Sequence, residues 1–443
     1  MEHQPPLTHS HMDQSPPRSP WSLLSAVAWK QRLVFWSGAI VVGLFISALT
    51  VVSERAVVLL LDFVQPRSWT LWLIPPLGIP LVACLTQRLC QGAEGSGVPQ
   101  VKAALAIHHD LQGRSRLVSF RIAIGKVLLT NLGLLTGSSA GLGGPAIQIG
   151  ASIMTSLGKA ARFPPHYMER GFILAGSAAG FAALFSAPLA GIIFAIEELG
   201  RSLEEKIGSL VLIAIILAGM TAFILLQHYI FLDTEESSLP WGKGWLAIPL
   251  CGVAGGLAGG IFSRLLIRIG QLVNPLRMRR RILLACACGA VLAVIHTGTD
   301  GMTLGTGYPV LKQILTDPQS IQPLFCLMKA LATLATALSG IPAGLFVPSL
   351  SVGAGLGSNL MSWLPFTPPL AVVLLSMCAY FSGVFQNPMT SFVLIMEITD
   401  THEMLLPLMA TAFIATGTAQ LINRQPLYER LTEGYAKRFP DSL

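Results

Sequence analysis

Apolar segments follow one another from about residue 33 to about residue 422, with no polar interval large enough for a soluble domain. Residues 33–52 and 207–226 carry no charge at all. Roughly twenty apolar residues match a hydrocarbon core about 30 Å thick. Further apolar stretches lie at 69–85, 127–135, 245–262, 282–295, 370–385 and 404–422. Some are too short to cross alone, and many hold Gly or Pro. Broken helices at membrane depth are tolerated only where protein buries them or where they line a cavity. The chain therefore reads as an all-α polytopic membrane protein of the channel or transporter kind, not a simple anchor. Composition agrees, with 12% charged residues against about 25% in soluble domains.

Two distant stretches align without a gap. Residues 179–197 read AGFAALFSAPLAGIIFAIE and residues 379–397 read AYFSGVFQNPMTSFVLIME. Phe181, Phe185, Pro188 and Glu197 meet Phe381, Phe385, Pro388 and Glu397. Pro145 with Ile149-Gly150-Ala151 pairs likewise with Pro348 and Val352-Gly353-Ala354. The chain is expected to divide into a tail (1–32), a first half (33–231), a linker (232–244), a second half (245–435) and a short end (436–443). Repeats of this kind are often inverted, with the ion site where broken helices of both halves meet.

Three Gly/Pro-rich sequences interrupt the apolar pattern: Gly95-Ser96-Gly97-Val98-Pro99, Gly141-Leu142-Gly143-Gly144-Pro145 and Gly344-Leu345-Phe346-Val347-Pro348. Each precedes an apolar run that reads as a helix. Pro suits a first helical turn, and Gly permits close backbone approach. First-turn N–H groups lack intrahelical acceptors, and the helix dipole makes that end positive. Several such ends aimed at one point make an anion site from partial charges, which lets the ion leave again. Any one motif alone reads equally well as an ordinary turn; the three together do not.

Taken with a late Tyr428, these motifs resemble those of the CLC family of chloride channels and chloride/proton exchangers, over about residues 33–435. The stretch AAGFAALFSAPLAGIIFAIEE at 178–198 carries the resemblance further. It implies a homodimer in the lipid bilayer, one pore per subunit, and about eighteen helices in two inverted halves. It further implies that the hydroxyls of Ser96 and Tyr428 and the backbone N–H groups of Leu345 and Phe346 hold chloride. Ser96 fits chloride, since nitrate-preferring members tend to carry Pro there. Lys126 matches the family's buried lysine, and a charge at that depth is costly and functional by default.

The second motif departs from the family's GREGP or GKEGP. Its glutamate gates the outer anion site and carries protons in exchangers; here Gly143 stands in that position, behind Leu142. Glu198 matches the internal glutamate of proton-coupled members, though it reads equally as a solvated or ion-paired carboxylate at a helix end. Gln100 and Lys102 stand where the family often has acids, which weakens a copied proton route. The expectation is passive, uncoupled chloride movement, with proton exchange through Glu198 or water as the alternative.

Other readings carry less. An enzyme is not expected, because no nucleophile elbow, phosphate loop or zinc helix motif is present. The tail histidines (His3, His9, His11), the His108-His109-Asp110 loop and the seven scattered cysteines lack metal-site spacing. No metal or other cofactor is expected. His296 reads as interfacial. Arg277, Arg279, Arg280 and Arg281 cluster between two apolar spans, which argues against nucleic acid and places their loop in the cytoplasm. Asp233, Glu235 and Glu236 would then lie outside. No cleavable signal is read, both termini are expected in the cytoplasm, and the compact form suits a bacterial inner membrane. The chain stops soon after Tyr428, so no appended nucleotide-binding pair is expected.

Overall fold

A computed structural model of the chain describes residues 26–107, 111–162, 165–200, 208–226, 232, 238–239, 241–273 and 276–436. The tail histidines, residues 108–110, the 201–207 loop and the acidic cluster at 233–236 lie outside the described residues.

The described chain is helical throughout. Helices α1 (Ala26–Val64), α2 (Ile74–Leu89), α3 (Val98–Ala106), α4 (Leu111–Leu117), α5 (Phe120–Leu135), α6 (Gly143–Ala160), α7 (Pro165–Phe185), α8 (Pro188–Phe194) and α9 (Ser209–Leu226) come first. Then follow α10 (Ala247–Val273), α11 (Met278–Gly298), α12 (Tyr308–Thr316), α13 (Phe325–Leu338), α14 (Phe346–Leu360), α15 (Pro369–Phe385), α16 (Pro388–Thr399), α17 (Leu405–Ile422) and α18 (Leu427–Ala436). The only extended pairing among the described residues is two isolated bridges, Gly95 with Pro342 and Gly141 with Gly344. α1 begins at Ala26, before the boundary expected at residue 33.

Among the described residues, six helical segments are long and apolar enough to cross a bilayer: Trp29–Trp72, Gln112–Leu135, Ser209–Leu226, Lys243–Val273, Met278–Gly298 and His402–Ile422. Several others are too short to cross alone. α3 and α12, at nine residues each, reach about 14 Å at 1.5 Å per residue. The first turn of α3 is buried, so its free N–H groups lie inside the protein rather than against lipid.

Reciprocal hydrogen bonds tie the two halves together. Glu197 accepts from the N–H groups of Met389 and Thr390 at 3.1 and 2.7 Å. Glu397 accepts from those of Leu189 and Ala190 at 3.0 and 2.8 Å. Each carboxylate thus caps the first turn of the other half's helix, α16 or α8, where Pro occupies the first turn. Four orphan donors are satisfied in this way, and a negative charge sits at each positive helix end.

Small residues bring the crossing helices together. A Cβ on Gly150 of α6 would stand 2.1 Å from the Gly176 carbonyl oxygen of α7, and one on Gly255 of α10 would stand 2.4 Å from Ala379 Cβ of α15. Packing is the main attraction between helices in lipid, and such contacts maximise it.

His296 is a correction. It is fully buried, not interfacial. Its ring nitrogens bond the Thr303 hydroxyl at 2.7 Å and the Gly137 carbonyl at 2.8 Å. An intramembrane polar ring is tolerated when both nitrogens find partners, and here they do.

Candidate anion site

The three motif loops meet. Gly95 N–H donates to Ile341 C=O at 3.1 Å, and Ala343 N–H donates back to Gly95 C=O at 3.1 Å. Gly141 and Gly344 exchange both bonds, at 2.8 and 2.9 Å. The segment entering α14 is therefore stitched to the loops entering α3 and α6. A Cβ on Gly144 would lie 2.2 Å from both the backbone oxygen and Oγ of Ser96. Gly97 has φ of +108°, and a Cβ there would meet the Gly144 carbonyl at 2.5 Å. Glycine is required here by both conformation and space.

Gly143 opens α6 and Phe346 opens α14, with Leu142 and Leu345 just before them. As first-turn groups, the N–H groups of Gly143, Leu345 and Phe346 have no intrahelical acceptor. Leu345 and Phe346 are each 2% exposed, so this polarity is directed inside the protein.

Lys126 is fully buried and donates to the carbonyls of Ala93 and Gly95, both at 2.8 Å. It holds the loop that carries Ser96 and places a positive charge behind it. Gln100, also fully buried, accepts from Gly97 N–H at 3.1 Å and donates to the Glu94 carbonyl and, at 3.1 Å, to the Tyr435 hydroxyl. The α3 entrance is thus fixed from two sides.

α18 closes one side of the site. The hydroxyls of Tyr428 and Ser96 stand 3.2 Å apart and share a hydrogen bond. The Tyr428 ring stacks on Phe385 with centroids 5.3 Å apart. Below this contact lies a cavity of about 1320 Å³ that reaches Ser96 and is lined by Arg88, Glu94, Arg116, Arg281, Arg430 and Tyr435 among others. Its charge balance is positive, which raises the local concentration of anions.

The position expected to hold a gating carboxylate is filled differently. A Cβ on Gly143 would stand 2.3 Å from Phe346 Cδ2. The Phe346 ring occupies that space and packs against Phe181, Phe194, Phe381, Phe385 and Tyr428, with centroids 4.7–6.1 Å apart. No sequence pattern announced this contact, because it depends on the absence of a side chain 203 residues away.

Glu198 is 1% exposed and lies in the wide turn Ala195–Leu199 that ends α8. Its carboxylate pairs with Lys102 at 2.5 Å and accepts from the Asn387 amide. The carboxylate is thus ion-paired and buried rather than solvated. Lys102 thus stands in direct contact with the acid it was expected to disfavour as a relay.

Lys329 escaped the sequence reading. It is fully buried and donates to the carbonyls of Thr303 and Gly305, both at 2.9 Å. These bonds match those of Lys126, and the loop it holds, Gly305-Thr306-Gly307-Tyr308-Pro309, matches Gly95 to Pro99. The signal was present: Lys126 and Lys329 are 203 apart, as are Pro145 and Pro348.

Comparison with known proteins places this geometry. A family model described as "Voltage gated chloride channel" matches residues 78–420. The chain is 27% identical over 433 residues to the H(+)/Cl(-) exchange transporter ClcA of Yersinia pseudotuberculosis serotype IB, covering 91% of this chain and 88% of that protein. The Vibrio parahaemolyticus ClcA is 27% identical over 383 residues, covering 82% and 79%. Among solved structures, a slow cyanobacterial Cl-/H+ antiporter superposes with a TM-score of 0.78 at 25% identity, over 92% of this chain and 99% of that one. A CLC-type fluoride/proton antiporter shares the fold, with a TM-score of 0.71 at 22% identity over 91% and 98%. The matched span covers most of the chain and all three helix-end loops, so this protein belongs to the voltage-gated chloride channel family.

Proposed function

We propose that the chain carries chloride across a membrane passively, without proton exchange, with Ser96, Tyr428 and the backbone N–H groups of Leu345 and Phe346 as anion contacts. The observation that carries this reading is Gly143 with the Phe346 ring in its side-chain space. Gly143 brings no titratable side chain to that position. The Lys102–Glu198 pair supports it further, because both carboxylate oxygens are already engaged, one by Lys102 and the other by the Asn387 amide. The domain division at 232–244 and the homodimer of the family belong to the same reading, as does a multi-pass location with cytoplasmic termini.

A second reading keeps proton exchange. Relatives named as H(+)/Cl(-) exchange transporters favour it, and so does the buried Glu198. Coupling would then run through Glu198 and water.

Chloride efflux from vesicles tests the site itself. Ser96→Ala and Tyr428→Phe should each change the rate or the chloride selectivity against nitrate. Unchanged flux and selectivity in both variants would remove these hydroxyls from the path.

A further inference from the structure

α10 exposes one continuous stripe. Leu250, Val253, Leu257 and Ile261 are 36–52% exposed and recur every three or four residues, so they share one helix face. Arg264 and Arg268 continue the same spacing on the same exposed face. On α11 the pattern runs the other way. Arg280 is exposed in the first turn, and Leu283, Val291 and Val294 follow it at helical spacing, 48–70% exposed. Exposed apolar stripes on membrane-length helices are the faces that lipid tails cover. Arginines that extend such stripes at one end sit at headgroup depth.

Charge makes the case sharper. No Asp or Glu occurs between Glu236 and Asp300, while Arg264, Arg268, Arg277, Arg279, Arg280 and Arg281 all fall there. Among the described residues no ion pair involves Arg264, Arg268, Arg277, Arg279 or Arg280. Arg277 and Arg279 also crowd the N-terminal end of α11, where the dipole is already positive and cations are disfavoured. Among the described residues, no carboxylate compensates these charges. Arg281 differs, since it lines the inner cavity.

We propose that the α10–α11 hairpin binds anionic phospholipid headgroups, with Arg264, Arg268 and Arg280 as the principal phosphate contacts. A purely solvated rim that gathers chloride would not need its arginines on the lipid-facing stripes. Guanidinium groups pair with phosphate through two parallel hydrogen bonds, and each basic residue near an anionic surface strengthens binding roughly five-fold. The hairpin also walls the inner cavity through Met278 and Gln271, so a bound headgroup stands beside the inner mouth.

The test is thermal unfolding of the full-length protein in neutral detergent, titrated with phosphatidylglycerol, phosphatidylcholine or inorganic phosphate. Phosphatidylglycerol should raise the melting temperature where phosphatidylcholine does not, and added salt should reduce the rise. In Arg264→Gln/Arg268→Gln/Arg280→Gln the apparent phosphatidylglycerol affinity should fall about five-fold per arginine. The triple Lys variant should keep most of it. Equal responses to both lipids in the unaltered protein would overturn the proposal even if the Gln variant fails to fold. So would an equal effect of inorganic phosphate, or an unchanged response in a folded Gln variant.

Discussion

Gly143 and Phe346 form one unit, because the ring lies where the glycine's side chain would be. Gly143→Ala forces a methyl into a filled space, and overpacking of this kind costs about 1–3 kcal/mol. The variant should melt lower in detergent, and the same change should cost less in a Phe346→Leu background. Equal costs in both backgrounds would mean that the two positions do not share that space. Gly143→Glu puts a carboxylate at the gate position and must displace the ring. The ionised form competes with chloride, so block should strengthen as pH rises through the carboxylate's titration and relax as pH falls. A chloride flux in that variant that ignores pH would contradict the mapping of the gate. The two buried lysines separate site from scaffold. Lys126→Met removes the charge behind Ser96 and frees the carbonyls of Ala93 and Gly95; it should weaken chloride binding as well as stability. Lys329→Met should lower stability while changing chloride affinity less. An isothermal titration that finds equal affinity losses would contradict that division.

At the scale of elements, the crossed caps of α8 and α16 are the clearest structural device. Removing a side-chain cap costs about 0.5–2 kcal/mol. Glu197→Ala and Glu397→Ala should therefore destabilise the protein by similar amounts, measured by unfolding in detergent. A loss in one and none in the other would show that the pairing is not shared between halves. The entrances to α3, α6 and α14 were legible in the sequence because close backbone approach leaves no substitute for glycine, and a first helical turn welcomes proline. The α12 entrance was not read, although it uses the same Gly-x-Gly-x-Pro order. Thr306 and Tyr308 replace Ser96 and Val98 there, and the strict two-stretch alignment did not reach that far back along the chain.

Across the whole molecule, two repeated helix series and one closing helix make the fold. The repeat showed in the sequence at Phe181, Pro188 and Glu197, where packing and capping fix the residue type in both halves. What the sequence hid is contact across the halves. The Lys102–Glu198–Asn387 cluster joins α3, the turn after α8, and the entrance to α16. The Phe346 ring lies between α6, α7, α15 and α18 in the same way. Such contacts depend on the register of distant helices, which periodicity within one segment does not encode. His296 was misread for the same reason, since its partners Thr303 and Gly137 lie on other elements.

Coupling is the property on which the account turns. Chloride efflux from reconstituted liposomes, with the external pH recorded at the same time, measures it directly. The account predicts efflux that needs a potassium shunt and moves no protons, which makes the pathway electrogenic and uncoupled. Protons driven uphill by a chloride gradient would contradict it and assign exchange to Glu198 and the water around it.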